Sequence, residues 1–179
     1  MGVPVYFEDL VVGASFLSDE VAIDRDEMLA YNRRNDPWPF HVDEASAAQN
    51  PYGSLIASGG YTITLMYRLG HQIYNVPGRR WAVLGASEWH LKFPAPVRSG
   101  DLVRLRITIK GKRESSRPQR GHFDLLYELV NQAGKVVLSV VVAGLIERRP
   151  PSPDQVPLPP SGGEEHEDAS TEKVRSRVP

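Results

Sequence analysis

The chain has 179 residues, 41% of them hydrophobic, with 21 basic and 22 acidic side chains. That length and composition suit one folded domain with an extension and argue against wholesale disorder. The near-balance of charge argues against nucleic acid as the main partner, because phosphate binding needs a basic excess. Cysteine is absent, so disulfide frameworks, thiolate nucleophiles and cysteine zinc sites are excluded.

Met1 to Leu10 has no basic stretch followed by an apolar one, so no signal peptide is read there. No apolar run approaches the ~18 residues of a membrane span. The expected compartment is the cytoplasm, with no membrane partner. Residues 15–23 read as a strand. Asp24 and Glu27 form a capping-box pattern ahead of a short helix through Met28, Leu29 and Tyr31. That helix must end by Asn35-Asp36-Pro37-Trp38-Pro39, since proline disfavours the α region in the residue before it. Asp43 is placed to cap a second short helix through Ala45, Ala47 and Ala48. Ser58 then begins the longest apolar stretch that suits a helix, through Tyr61, Leu65, Met66, Leu69, Ile73 and Tyr74. Its one full charge is Arg68, so a helix apolar on most sides is expected.

After Pro77-Gly78 the period changes to two. Val103, Leu105, Ile107 and Ile109 alternate with charged or polar neighbours. Phe123, Leu125, Tyr127 and Leu129 follow suit, and 82–92 is a further strand candidate. Val136 to Ile146 is almost continuously apolar, as a central strand is. Turns are expected from Gly111 to Gly121 and at Asn131–Gly134. From 149 the composition breaks. Six of the eleven residues from Pro150 to Pro160 are proline, and four acids fall within Glu164–Asp168. Residues 1–148 are read as the domain and 149–179 as a disordered extension. One buried helix followed by long antiparallel strands predicts an α+β fold in which a curved sheet wraps a central helix. The hot-dog fold is that arrangement.

The strongest chemical signal is Asp36-Pro37-Trp38-Pro39-Phe40-His41-Val42-Asp43. A carboxylate and an imidazole stand five residues apart on an irregular stretch stiffened by two prolines. Such a pair can take a proton from one water and deliver one elsewhere. By spacing alone it also fits a turn-forming Asp and a hydrogen-bonded structural His. A second element, Gly53 to Gly60, opens the buried helix. Glycines there let a ligand approach free backbone N–H groups, where the helix dipole adds positive character. They equally let the helix pack closely on the sheet. A third segment, Leu91 to Asp101, reads as a proline-rich bend. Arg79, Arg80, Lys92 and Arg98 are read as solvated charges, a few of which could hold a small anionic ligand. His71, His90 and His122 lack ligand spacing, so no metal is expected.

In this order the three elements resemble the MaoC-like acyl dehydratases, a hot-dog family that includes (R)-specific enoyl-CoA hydratases. Asp36, Pro39, His41, Asp43 and the alanines 45, 47 and 48 match the family's first motif. Ser54 to Gly59 match the second. Lys92, Phe93, Pro96, Val97, Gly100 and Asp101 match the third, and Tyr6 to Gly13 look like the family's opening. The resemblance runs over roughly residues 6–147. Trp38 replaces the asparagine of well-known members, and Ser58 stands where many have histidine. The resemblance implies hydration or dehydration of an acyl thioester carried on coenzyme A or an acyl carrier. Asp36 and His41 would be catalytic, and the Gly59 N–H would bind the thioester oxygen. Trp38, Ser58, Gly60 and Tyr67 would line the substrate. It implies no cofactor and at least a homodimer. Two other readings stay open: a thioesterase, and a non-catalytic hot-dog subunit that completes a partner's site.

Overall fold

The computed structural model describes residues 3–151, so the expected extension lies, from 152 on, outside the described residues. Residues Met1–Arg149 form one unit. A 3₁₀ turn, Phe7–Asp9, precedes β1 (Ser15–Leu17), β2 (Val21–Ala22), α1 (Arg25–Asn35), α2 (Pro39–Val42), α3 (Glu44–Gln49) and α4 (Gly59–Tyr74). A small hairpin of β3 (Asn75–Val76) and β4 (Arg79–Arg80) leads into four long strands. These are β5 (Val83–Lys92), β6 (Leu102–Glu114), β7 (Arg120–Asn131) and β8 (Val136–Glu147). The main sheet is antiparallel, in the order β1-β6-β7-β8-β5, with β2 also paired to β6. It wraps α4, and the fold is the hot-dog fold that the sequence pattern predicts.

The periodicities place the core. On β6, Val103, Leu105, Ile107 and Ile109 are buried while Arg104 and Lys110 are exposed. On α4, Tyr61, Leu65, Met66, Leu69 and Ile73 form the buried stripe. Tyr67, Arg68, His71 and Gln72 face outward, so α4 is buried along one side rather than on most sides. β8 lies between β7 and β5. Its Leu138, Val140, Val142 and Ile146 point into the core while Val141 stays exposed.

Three local expectations change. The strand expected over 15–23 is two short strands, because Ser18 interrupts the ladder: its Oγ accepts the Leu105 N–H at 2.9 Å. The stretch expected to be irregular from Asp36 contains α2, whose first residue is Pro39. Proline suits that position, where its missing N–H costs no helical bond. The turn expected from Gly111 starts later, because β6 continues to Glu114 across a bulge between Ile109 and Gly111.

The end of the domain is tied to its beginning. Arg148 donates to Glu8 at 2.8 Å and lies over the Phe7 ring. The Arg149 guanidinium reaches both oxygens of Asp9, and its backbone N–H reaches Glu8. Partial burial works to raise the Glu8 carboxyl's pKa, but these donors outweigh it and leave the pKa below the ordinary range. Its contribution to stability is therefore present at neutral pH and fades as pH falls through that depressed value. Truncation after Arg149 is expected to leave the melting temperature nearly unchanged. Removing Arg148 and Arg149 as well is expected to lower it by at least about 3 °C, checked by thermal denaturation.

Candidate active site

α1 starts where Asp24 accepts the Glu27 N–H at 2.8 Å, and it ends at Asp36. Pro37 forces that end. The backbone of Asp36 leaves helical geometry (φ −155°, ψ 68°), while its N–H still caps Asn32. The one-turn α2 then carries His41 inward, where it is buried.

The His41 ring is held at one nitrogen and leaves the other free. Nδ1 lies 2.9 Å from the carbonyl oxygen of Ile56. A carbonyl only accepts, so Nδ1 carries a hydrogen there. Nε2 is left facing Asp36, 3.7 Å from Oδ2. That gap is too long for a direct hydrogen bond. It is short enough for both groups to reach a single oxygen atom between them. The Asp36 side chain is 37% exposed, so this oxygen can come from solvent.

His41 lines a cavity of about 380 Å³ with Phe40, Tyr52, Gly59, Thr62 and Phe93. Gly53, at φ +70°, turns the chain towards this wall after α3. At the mouth of α4, Ser58 Oγ accepts the Tyr61 N–H at 3.2 Å, and its carbonyl accepts that of Thr62. The N–H groups of Gly59 and Gly60 have no partner among the described residues. Gly59 lies in the cavity wall, where a Cβ would come within 2.9 Å of the Phe93 ring. A free N–H, the positive end of a helix and a close approach thus meet at Gly59.

His41 therefore stands beside Asp36 and shares a cavity wall with Gly59, while the other expected substrate contacts lie elsewhere. Ser58 is fully buried and acts as the cap. Gly60 faces the Tyr31 hydroxyl, which a Cβ there would meet at 2.9 Å. Trp38 is 62% exposed and stacks on Phe40. Tyr67 lines a different cavity, of about 230 Å³, with Trp89, Tyr74, Tyr127 and His71. Burial pushes the Tyr127 phenol well above its ordinary range and that of Tyr61 up to about 12. Both phenols stay neutral at physiological pH and are not bases. Arg98, expected to be a solvated charge, instead donates to Ser54 Oγ at 2.9 Å and to the Tyr52 carbonyl at 3.0 Å. Among the described residues no cluster of three or more His, Asp or Glu could hold a metal ion.

Sequence reasoning missed Phe40, Tyr52, Thr62 and Phe93 as cavity walls. Phe93 sits in the segment read as a bend, and its motif position was the available signal. It also missed Asn32, whose buried amide touches three segments of the site.

The model of the family described as "MaoC like domain" matches residues 10–129. This chain belongs to that family. Among curated relatives, the 3-hydroxyacyl-thioester dehydratase Z of Mycobacterium tuberculosis is 38% identical over 96 residues, covering 52% of this chain and 62% of that protein. A 3-hydroxybutyryl-CoA dehydratase of Methylorubrum extorquens is 33% identical over 106 residues, covering 59% of this chain and 64% of the relative. The chain thus spans less than two thirds of either relative. The crystal structure of a MaoC-like dehydratase from Rhodospirillum rubrum matches at TM-score 0.73 and 29% identity, over 82% of this chain and 99% of that one. In this MaoC-like domain the cap at Ser58 is a local stability element. Ser58→Ala is expected to cost about 1 kcal/mol in urea denaturation, the usual worth of a helix N-cap.

Proposed function

We propose that this protein catalyses the reversible hydration of a trans-2-enoyl thioester to a 3-hydroxyacyl thioester, with coenzyme A or an acyl carrier as the thiol. The observation that carries this reading is the 3.7 Å separation of Asp36 Oδ2 and His41 Nε2, with His41 lining a cavity that Gly59 also lines. The names of the relatives, dehydratases of 3-hydroxyacyl thioesters, support the same class of reaction.

In the hydration direction, Asp36 takes a proton from a water held between it and the imidazole, and the water oxygen bonds to the β-carbon. The alkene electrons shift towards the thioester carbonyl, whose oxygen gains charge. The Gly59 N–H and the positive end of α4 stabilise that oxygen as charge develops. Asp36 passes that proton to the free Nε2 of His41, and Nε2 delivers it to the α-carbon, so both groups end in the form in which they began. The acyl thioester itself activates the alkene, so the scheme uses only side-chain and backbone groups of this chain.

The active unit is proposed to be a homodimer. β5 closes one edge of the sheet, and its exposed Val83 and Leu84 leave an apolar strand edge open. Such edges pair readily with another strand. Light scattering at micromolar concentration is expected to give twice the 19.9 kDa chain mass; a monomer would count against this assembly.

The acid–base pair is tested with crotonyl-CoA. Asp36→Asn and His41→Ala are each expected to lower hydration by roughly 10²–10⁴-fold. Because both act on one water, the double variant should be hardly worse than the poorer single one. Hydration that persists within about a factor of three in Asp36→Asn would sink the mechanism. Release of free thiol in place of hydration would show a thioesterase instead.

A further inference from the structure

Asn32 is fully buried two turns into α1. A polar side chain in that position must satisfy its donors and acceptors internally. Nδ2 donates to the His41 carbonyl at 3.0 Å and to the Ile56 carbonyl at 3.3 Å, and Oδ1 accepts the Ser58 N–H at 3.1 Å. These partners lie 9, 24 and 26 residues away. They belong to the turn that carries His41, to the run leading into α4, and to the cap of α4.

We infer that Asn32 is a positioning residue that sets both the His41 ring and the N-terminus of α4, an inference that rests on the hydration reading above. The Ile56 oxygen has two lone pairs. One receives Nδ1–H of His41 and the other the Asn32 amide. Held from behind, this carbonyl keeps the hydrogen on Nδ1 and leaves Nε2 towards Asp36. The second Asn32 hydrogen bond fixes the backbone of His41 itself. Ring and main chain of the imidazole are thereby tied to one amide. Through Oδ1 on Ser58, the same amide sets the residue just before Gly59. The acid–base group and the N–H proposed for the thioester oxygen therefore share one reference point. Around metal-bound histidines, groups that orient the ring through its second nitrogen typically matter by about 10–100-fold, and the expectation for Asn32 takes the same order.

A purely structural staple would have a different signature. It would lower stability while leaving the imidazole of every folded molecule unchanged. The experiment uses the full chain, with Asn32→Ala removing all three bonds. Asn32→Asp keeps the size and the acceptor for Ser58 but removes the donor to both carbonyls. Nitrogen-15 spectra, with His41 assigned from its alanine variant, report the tautomer of the neutral ring, and crotonyl-CoA kinetics report kcat and KM separately. Wild-type His41 is expected to be a single Nδ1–H form, and both Asn32 variants are expected to mix the two tautomers. kcat should fall by roughly 10–100-fold with KM nearly unchanged. A folded variant that keeps the single Nδ1–H signal and kcat within about twofold would overturn the inference. Failure of both variants to fold would also overturn it, in favour of a structural role. A wild-type protein that shows no hydration, while the tautomer still shifts in the variants, would remove the hydration reading and leave the positioning role standing.

Discussion

Tyr61, Leu65, Met66, Leu69 and Ile73 on α4 face Val103, Leu105, Ile107, Leu129, Leu138 and Val140 of the sheet in one buried cluster. Each large apolar side chain withdrawn from water contributes roughly 1.5–3 kcal/mol. The burial fixes the axis of α4, and with it the place where the helix begins. The polar site is built on that fixed end. The Ser58 hydroxyl accepts the Tyr61 N–H, while Gly59, whose N–H has no partner among the described residues, lines the cavity.

Around that end the site divides its labour between rigidity and access. His41 is 6% exposed and held at Nδ1 and at its carbonyl. Asp36 stands on the open side, where α1 has just ended and its carboxylate reaches solvent. This suits the proposed hydration, which consumes water. One member of the pair needs a fixed orientation and the other needs a supply. Pro37 and Pro39 contribute to both ends of this arrangement: the first stops α1 at Asp36, and the second starts the turn that buries His41.

Much of this was legible in the chain because it is local. Alternation on β6, the caps at Asp24, Asp43 and Ser58, and the proline break after Asp36 each depend on residues within a few positions of one another. The Asp36–His41 pair was legible for the same reason. What escaped depends on distant partners. Asn32, followed in its helix by Arg33 and Arg34, carries no local sign of burial, and only the folded chain brings His41, Ile56 and Ser58 to it. Ser18 looked like one more strand residue until its hydroxyl was found taking a ladder N–H from Leu105. The polar run Lys112-Arg113-Glu114 looked like a turn, yet β6 continues there because β7 supplies partners as far as Gly121. Trp38 carries the opposite lesson. A large aromatic beside a catalytic motif suggests a pocket wall, but the side chain stacks on Phe40 in solvent.

The clasp between Arg148–Arg149 and Glu8–Asp9 brings the two ends of the folded unit within hydrogen-bond reach of each other. A chain whose ends already touch is suited to circular permutation. A flexible linker from residue 150 to residue 3 would join those ends. The new ends would open in the polar connection between β6 and β7, at 115–119, on the chain surface. The order of the strands along the gene would then change while their order in the sheet stayed the same.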